Sequence, residues 1–291
     1  MGNIFLINEY FQNELDYSPN YNFKSEDREN CIDLVTMIKS LTKVKNKNSF
    51  IFLESLICNL KNFLECPFTL TVFDNNDLSV DHQKESFICQ NLCKKYDICY
   101  IKLPQMKGMF VEGWYDGSHA LANNFIYKKF LKNRFSKYVG FIEPDVFLNE
   151  KVNFLNIFQK DYKFIGLPKI GSLSMNYKVK PVSLHPCLLV FDKDYISNFS
   201  VDFMPIDNYM YPIEIGTGFG WYWTLRYFIN EDNYKSFIYD ISQIDYIHLR
   251  YSCFGLLGTP DNKIRTDSNI LNLLKCIMRY NKIYKFEELN I

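Results

Sequence analysis

Residues 138–148 read YVGFIEPDVFL, an apolar run that breaks at Glu143-Pro144-Asp145 and then resumes. The first five are aromatic, β-branched or small and uncharged, the composition of a buried strand. Pro144 restricts the turn that follows and pushes Glu143 toward extended backbone. Two carboxylates therefore flank one position at the end of a strand. A divalent hard cation bridged to a diphosphate has room for only one or two such protein ligands.

Upstream, apolar runs alternate with helical periodicity. Residues 32–38 (IDLVTMI) predict a strand, and a Lys/Asn-rich loop follows at 42–48. Ser49 then caps a helix carrying Leu53, Leu56, Leu60 and Leu64 at 3.6-residue spacing, closed by Pro67. Residues 68–73 (FTLTVF) predict a second strand, which ends at Asp74-Asn75-Asn76-Asp77. A helix is expected over 81–95 with Phe87, Ile88 and Leu92 facing inward, then a third strand over 98–103. Ser118 caps a further helix over 119–132, with Leu121, Phe125 and Ile126 on its apolar side, and 138–142 is the fourth strand. Alternation of this kind implies right-handed crossovers, hence an α/β fold with a mainly parallel central sheet flanked by helices. Ligands of such sheets bind beyond the carboxyl ends of the strands. Both acidic turns, 74–77 and 143–145, are expected there.

Downstream the pattern is less regular. Strands are expected at 164–167, 182–191 and 245–249, and helices at 217–229 and 269–279. No internal repeat is visible, and no Pro-, Gly- or Ser-rich linker divides the chain, so a single domain over 1–291 is expected.

Bulk properties narrow the function classes. Hydrophobic residues make up 47% and aromatics 17% of 291 residues, enough for a large core without disulfides or metal. Lys+Arg and Asp+Glu balance at 33 each, so no basic field points to nucleic acid. The nine cysteines are scattered without a CxxC, which predicts reduced, core-filling thiols. Cys89, Cys93 and Cys99 have only His82 nearby as a fourth zinc ligand. The first ten residues lack a basic n-region and a sustained apolar stretch, so no signal peptide is expected. No apolar run approaches the ~18 residues of a membrane span, and a soluble, cytoplasmic chain is expected. GxSxG, P-loop and GxGxxG patterns are all missing, which argues against hydrolase, kinase and dehydrogenase chemistry.

The segments VFDNNDLSVD (72–81), HALANNFIYKKF (119–130) and YVGFIEPDVFL (138–148) resemble, in order and spacing, three landmarks of the GT-A superfamily of nucleotide-sugar glycosyltransferases. The resemblance implies a GT-A (Rossmann-like) fold and metal-dependent transfer of a sugar from a nucleotide diphosphate-sugar to an acceptor hydroxyl. It implies that Asp74 reads the base, with Asn75 beside it, and that Asp145 ligates Mn²⁺ or Mg²⁺. Glu143 would lie near the ribose or the metal; the family's first acidic position is Asp, and here it is Glu. Residues 31–148 would then be the nucleotide-sugar half, 149–266 the acceptor half and 267–291 a C-terminal helical segment. The acceptor would be a glycan, a lipid-linked sugar or a protein.

Two later segments extend the resemblance. IEIGTGFGWYWTLRYF (213–228) offers Glu214 as general base toward the acceptor hydroxyl, although an ordinary helix start also accommodates a glutamate. IDYIHLRYS (244–252) offers His248 as a metal ligand beside Asp145. Arg250, two residues on and on the same face of the strand, would neutralise diphosphate. A uridine donor is favoured by the resemblance, with guanosine open. His119 is a candidate for lining the donor cleft, and His185, before Pro186, is expected to be structural. The alternatives are a sugar-phosphate nucleotidyltransferase, whose expected Gly-rich loop is lacking at 42–48, and an inactive binding module.

Overall fold

The computed structural model describes residues 17, 28–38, 49–76, 80–104, 122–170, 182–197, 199 and 229–248. Its centre is strand β1 (Ile32–Ile38), which is buried on both faces. Ile32, Leu34 and Ile38 join one core cluster and Val35 the other, as a two-residue period requires of a strand between two layers. On one side β1 pairs in parallel with β2 (Phe68–Asp74), and β2 with β3 (Cys99–Lys102). On the other it pairs in parallel with β4 (Tyr138–Ile142).

Beyond β4 the direction changes. Strand β7 (Val182–Asp192) runs antiparallel to both β4 and β6 (Phe164–Ile170), and β8 (Ile238–Asp240) closes the edge parallel to β6. The seven-stranded order is β3-β2-β1-β4-β7-β6-β8. Strands from both halves of the chain thus share one sheet. The α/β class, with a central sheet flanked by helices, is as expected, and four of its six pairings are parallel. Two short strands, β5 (Val146–Leu148) and β9 (Tyr246–His248), stand apart as an antiparallel pair.

Helix α1 (Ser49–Phe63) buries Leu53, Leu56 and Leu60 in the first cluster, and Leu64 follows just past its end. Helix α2 (Val80–Tyr96) departs from expectation. Phe87 and Ile88 are 55% and 39% exposed and Leu92 is half-buried. The buried positions are Ser86, Cys89, Gln90 and Cys93, at i, i+3, i+4 and i+7. Hydropathy alone picks out the largest apolar residues as the inner face. Small side chains, which let the helix sit close, are what meet the sheet. The helix expected at 119–132 is also irregular where described. It contains a π-helical turn at Ile126–Phe130 and a 3₁₀ turn at Leu131–Asn133, and it buries Ile126, Tyr127 and Phe130 in the second cluster. The helices expected at 217–229 and 269–279 lie outside the described residues, apart from Ile229.

Gly140 in β4 is set by packing. A Cβ there would fall 2.5 Å from the Leu189 carbonyl oxygen and 2.9 Å from Val190 Cα, both backbone atoms of β7. Neither can move without parting the sheet. Gly140→Ala is expected to cost about 1–3 kcal/mol, the usual range for overpacking, read as a lowered urea midpoint with unchanged m-value. An unchanged midpoint would refute the close approach.

At the opposite end of β1, Asp33 is buried and receives both Nε (2.9 Å) and a terminal nitrogen (3.1 Å) of Arg134, and it accepts from the Thr69 hydroxyl. Burial pushes its carboxyl up, but the Arg134 charge and these hydrogen bonds outweigh that and hold it below the ordinary carboxylate value. The folded state therefore binds a proton at Asp33 less readily than the unfolded chain, whose carboxylate titrates near pH ~3.9. This stabilisation is fully present above that pH and is lost as pH falls through the lower folded value. Urea midpoints measured from pH 6 to pH 2 (~4 pH units) should fall less steeply in Asp33→Asn than in the wild type. Parallel acid limbs would show that Asp33 is not the group responsible.

Candidate metal and nucleotide site

The acidic turn leaves the sheet where β4 ends. Glu143 N donates to the Cys187 carbonyl on β7 (2.7 Å), and Val146 N donates back to the Glu143 carbonyl (3.2 Å). That closes a four-residue turn with Pro144 in the position where proline is favoured. The chain then enters β5, whose pairing with β9 sets Val146 directly opposite His248. This register carries a histidine from 105 residues away to the turn: His248 Nε2 lies 3.0 Å from Glu143 Oε2. Asp145 Oδ1 is 3.7 Å from the same nitrogen, outside hydrogen-bond reach but inside ion-pair range.

All three side chains are largely withdrawn from solvent, at 9% exposure for His248, 12% for Glu143 and 4% for Asp145. Their ligand atoms lie within 4.8 Å of one another. Two carboxylates and one imidazole converging on one point suit a hard or borderline divalent cation such as Mn²⁺ or Mg²⁺. The cluster also sits beyond the carboxyl end of β4, the ligand side of a parallel sheet.

The second acidic turn is built differently. Asp74 ends β2, and its carboxylate is fully enclosed. Oδ1 accepts from Asn76 N (2.7 Å) and pairs with Lys102 Nζ (3.2 Å), while Oδ2 accepts from the Tyr100 hydroxyl. Burial and the adjacent Asp74 charge push the Tyr100 phenol far above its ordinary value, so it stays a donor. Lys102 also donates to the Asn76 carbonyl (2.8 Å) and the Ser86 hydroxyl (3.2 Å). The carboxylate thus pins the turn. Asn75 N donates to the Ile38 carbonyl (2.9 Å), which ties the turn to the end of β1. Its side-chain Nδ2 is buried and has no hydrogen-bond partner among the described residues.

Beside the Glu143 turn, Val35, Met37, Asn123, Phe141, Ile142 and Glu143 line a narrow recess. On the far side of His248, residues Leu167, Ser242, Gln243, Asp245 and Tyr246 border an open depression of about 570 Å³. Of the residues read from sequence as functional, Glu143, Asp145 and His248 are brought together. Asp74 and Asn75 stand at the end of β2, with β1 between that strand and β4. Glu214, Arg250 and His119 lie outside the described residues.

Two further residues join the site. His185 and Cys187, two apart on β7, share a ligand-distance cluster with His248. His185 was expected to be structural, and Cys187 carried no motif of its own. The contact of the His185 and His248 rings, with centroids 5.6 Å apart and edge to face, depends on the β5–β9 pairing that short strands conceal. Among the described residues no metal-holding group forms around Cys89, Cys93 and Cys99.

No protein-family model matches this sequence, and no curated protein sequence matches it. Among solved structures the chain is similar to apo mouse xyloside xylosyltransferase 1, at 7% identity and TM-score 0.43 over 72% of this chain and 84% of that one. It is also similar to the apo bifunctional glycosyltransferase WbbM, at 12% identity and TM-score 0.37 over 62% of this chain, which spans 34% of that protein. A third likeness is to the galactosyltransferase LgtC in complex with donor and acceptor sugar analogues, at 10% identity and TM-score 0.36 over 58% and 60% of the two chains. By their descriptions all three are glycosyltransferases.

Proposed function

We propose that this chain is a metal-dependent glycosyltransferase that moves a sugar from a nucleotide diphosphate-sugar to an acceptor hydroxyl. The observation that carries the reading is the convergence of Glu143, Asp145 and His248 beyond the end of β4. The donor set fits Mn²⁺ or Mg²⁺. Asp145 and His248 would hold the ion, with Glu143 completing the set or turning to the ribose. When bound, the cation supplies positive charge to the departing diphosphate.

The nucleotide lies across the strand ends in this reading. The enclosed Asp74 fixes the shape of the 74–76 turn, and the buried Nδ2 of Asn75 supplies a donor toward the base. Glu214 as base, Arg250 as diphosphate partner and a uridine donor belong to the same proposal. So does the single-domain reading, with a nucleotide half over 31–148, an acceptor half over 149–266 and a helical segment over 267–291. The acceptor is a glycan, a lipid-linked sugar or a protein. Among the described residues no helix is long and apolar enough to cross a membrane. The seven described cysteines carry thiols, and a soluble, cytoplasmic setting belongs to the same proposal.

Incubation of the purified chain with a panel of UDP- and GDP-sugars tests this directly. One donor should be hydrolysed slowly in the presence of Mn²⁺ and not in the presence of chelator. Binding without hydrolysis of any donor would favour an inactive module. Release of pyrophosphate from a nucleoside triphosphate and a sugar phosphate would favour a nucleotidyltransferase.

A further inference from the structure

Strand β7 carries an irregularity beside the metal cluster. Its register against β6 jumps from Gly166↔Leu189 to Leu167↔His185, so Pro186, Cys187 and Leu188 bulge out of the ladder with β6 while Leu188 stays paired with Ile142 of β4. Proline, which cannot donate to a ladder, is at home in such a bulge. The bulge leaves His185 and the fully buried Cys187 next to the Glu143 turn, with Glu143 N bonded to the Cys187 carbonyl. The ligand atoms of His185, Cys187 and His248 lie within 4.8 Å of one another. His248 is also the nitrogen ligand of the carboxylate set.

We propose that His185, Cys187 and His248 form a second metal site, for a borderline-soft cation of the Zn²⁺ type. It shares His248 with the carboxylate site, so that filling one weakens the other. The two donor sets differ in chemistry. Two imidazoles and a thiolate select zinc-like ions, whereas two carboxylates and one imidazole admit Mn²⁺ or Mg²⁺. Ligand atoms around tetrahedral zinc stand roughly 3.5 Å apart, so small side-chain rotations close the observed spacing. Cys187 N now donates to His185 Nδ1 (3.1 Å). Binding gives up that bond and the 3.0 Å contact of His248 with Glu143, and the metal–ligand bonds gained offset both. On binding, the Cys187 S–H bond is replaced by a sulfur–metal bond and its proton leaves to solvent. Zinc would then act as an inhibitor of Mn²⁺-dependent chemistry by removing His248 from the carboxylate pair.

Cobalt(II) titrated into the purified full chain tests this whether or not the chain transfers sugars. The expected result is a near-ultraviolet thiolate-to-cobalt band that saturates at a single equivalent and is bleached by Zn²⁺. Cys187→Ser should abolish the band, and His185→Gln should weaken cobalt binding by about tenfold or more. The double variant Glu143→Gln/Asp145→Asn should keep the band. In the wild type, Zn²⁺ should release bound Mn²⁺, seen as a growing free-Mn²⁺ electron paramagnetic resonance signal. X-ray absorption at the zinc edge of the wild type, which needs no variant to fold, should show a sulfur ligand. An all-nitrogen/oxygen zinc shell, or a band that survives Cys187→Ser, overturns the site. Simultaneous Zn²⁺ and Mn²⁺ binding without mutual effect overturns the sharing of His248.

Discussion

Asp145→Asn should lower metal-dependent turnover of the donor sugar by on the order of 10²–10³-fold while leaving the fold intact. The substitution keeps the size of a buried side chain and removes its charge at the centre of the proposed cation site. Loss of a metal's charge stabilisation is worth several kcal/mol, and each ~1.4 kcal/mol is tenfold in rate. His248→Ala should fall in the same range, because the β5–β9 pairing brings that ring to the turn. Glu143→Gln should lose less if its carboxylate faces the ribose, so the ratio of the two carboxylate variants reports the division of labour within the turn. Steady-state hydrolysis with Mn²⁺ held in excess, beside far-ultraviolet circular dichroism, reads both activity and fold. Full activity in Asp145→Asn would remove the turn from the chemistry.

The largest stability effect is expected at Lys102→Met. Lys102 and Asp74 are both buried, and Lys102 spends its ammonium on the Asp74 carboxylate, the Asn76 carbonyl and the Ser86 hydroxyl. Removing one partner of a buried pair strands the other charge and typically costs about 3–5 kcal/mol. The loss should show as a lower urea midpoint. Nucleotide affinity should drop with it, since the same contacts hold the 74–76 turn. The double variant Asp74→Leu/Lys102→Met should be less destabilised than the sum of the single ones, because no charge is left without its partner. Strictly additive losses would mean that the two residues do not act as a pair.

These outcomes depend on features that the sequence discloses unevenly. Strands β1 to β4 are legible because each is a short apolar run bounded by turn residues, and the leucines of α1 declare its inner face. The Glu-Pro-Asp turn is legible for the same reason: charge stands out at the end of an apolar strand. The reversal of β7 is not legible, since a buried strand looks the same in either direction. The meeting of His248 with Glu143 depends on β5 and β9, each three residues long and too short for a period to register. Asp74 shows the opposite limit. Its place at a strand end is plain from sequence, but its partners Tyr100 and Lys102 lie on another strand, so the anchoring of its carboxylate within the turn is not. Helix α2 misleads because its inner face is made of Ser86, Cys89 and Cys93, which hydropathy does not pick out against Phe87 and Ile88.

The central claim is that the Glu143/Asp145/His248 cluster binds a divalent cation together with a nucleotide diphosphate. Calorimetric titration of UDP, and of GDP in parallel, into the wild-type chain with Mn²⁺ or with chelator tests it most directly. One nucleotide should bind at least about tenfold more tightly with Mn²⁺, and Asp145→Asn should erase that difference. Equal affinity with and without metal, or a metal dependence that survives Asp145→Asn, would contradict it.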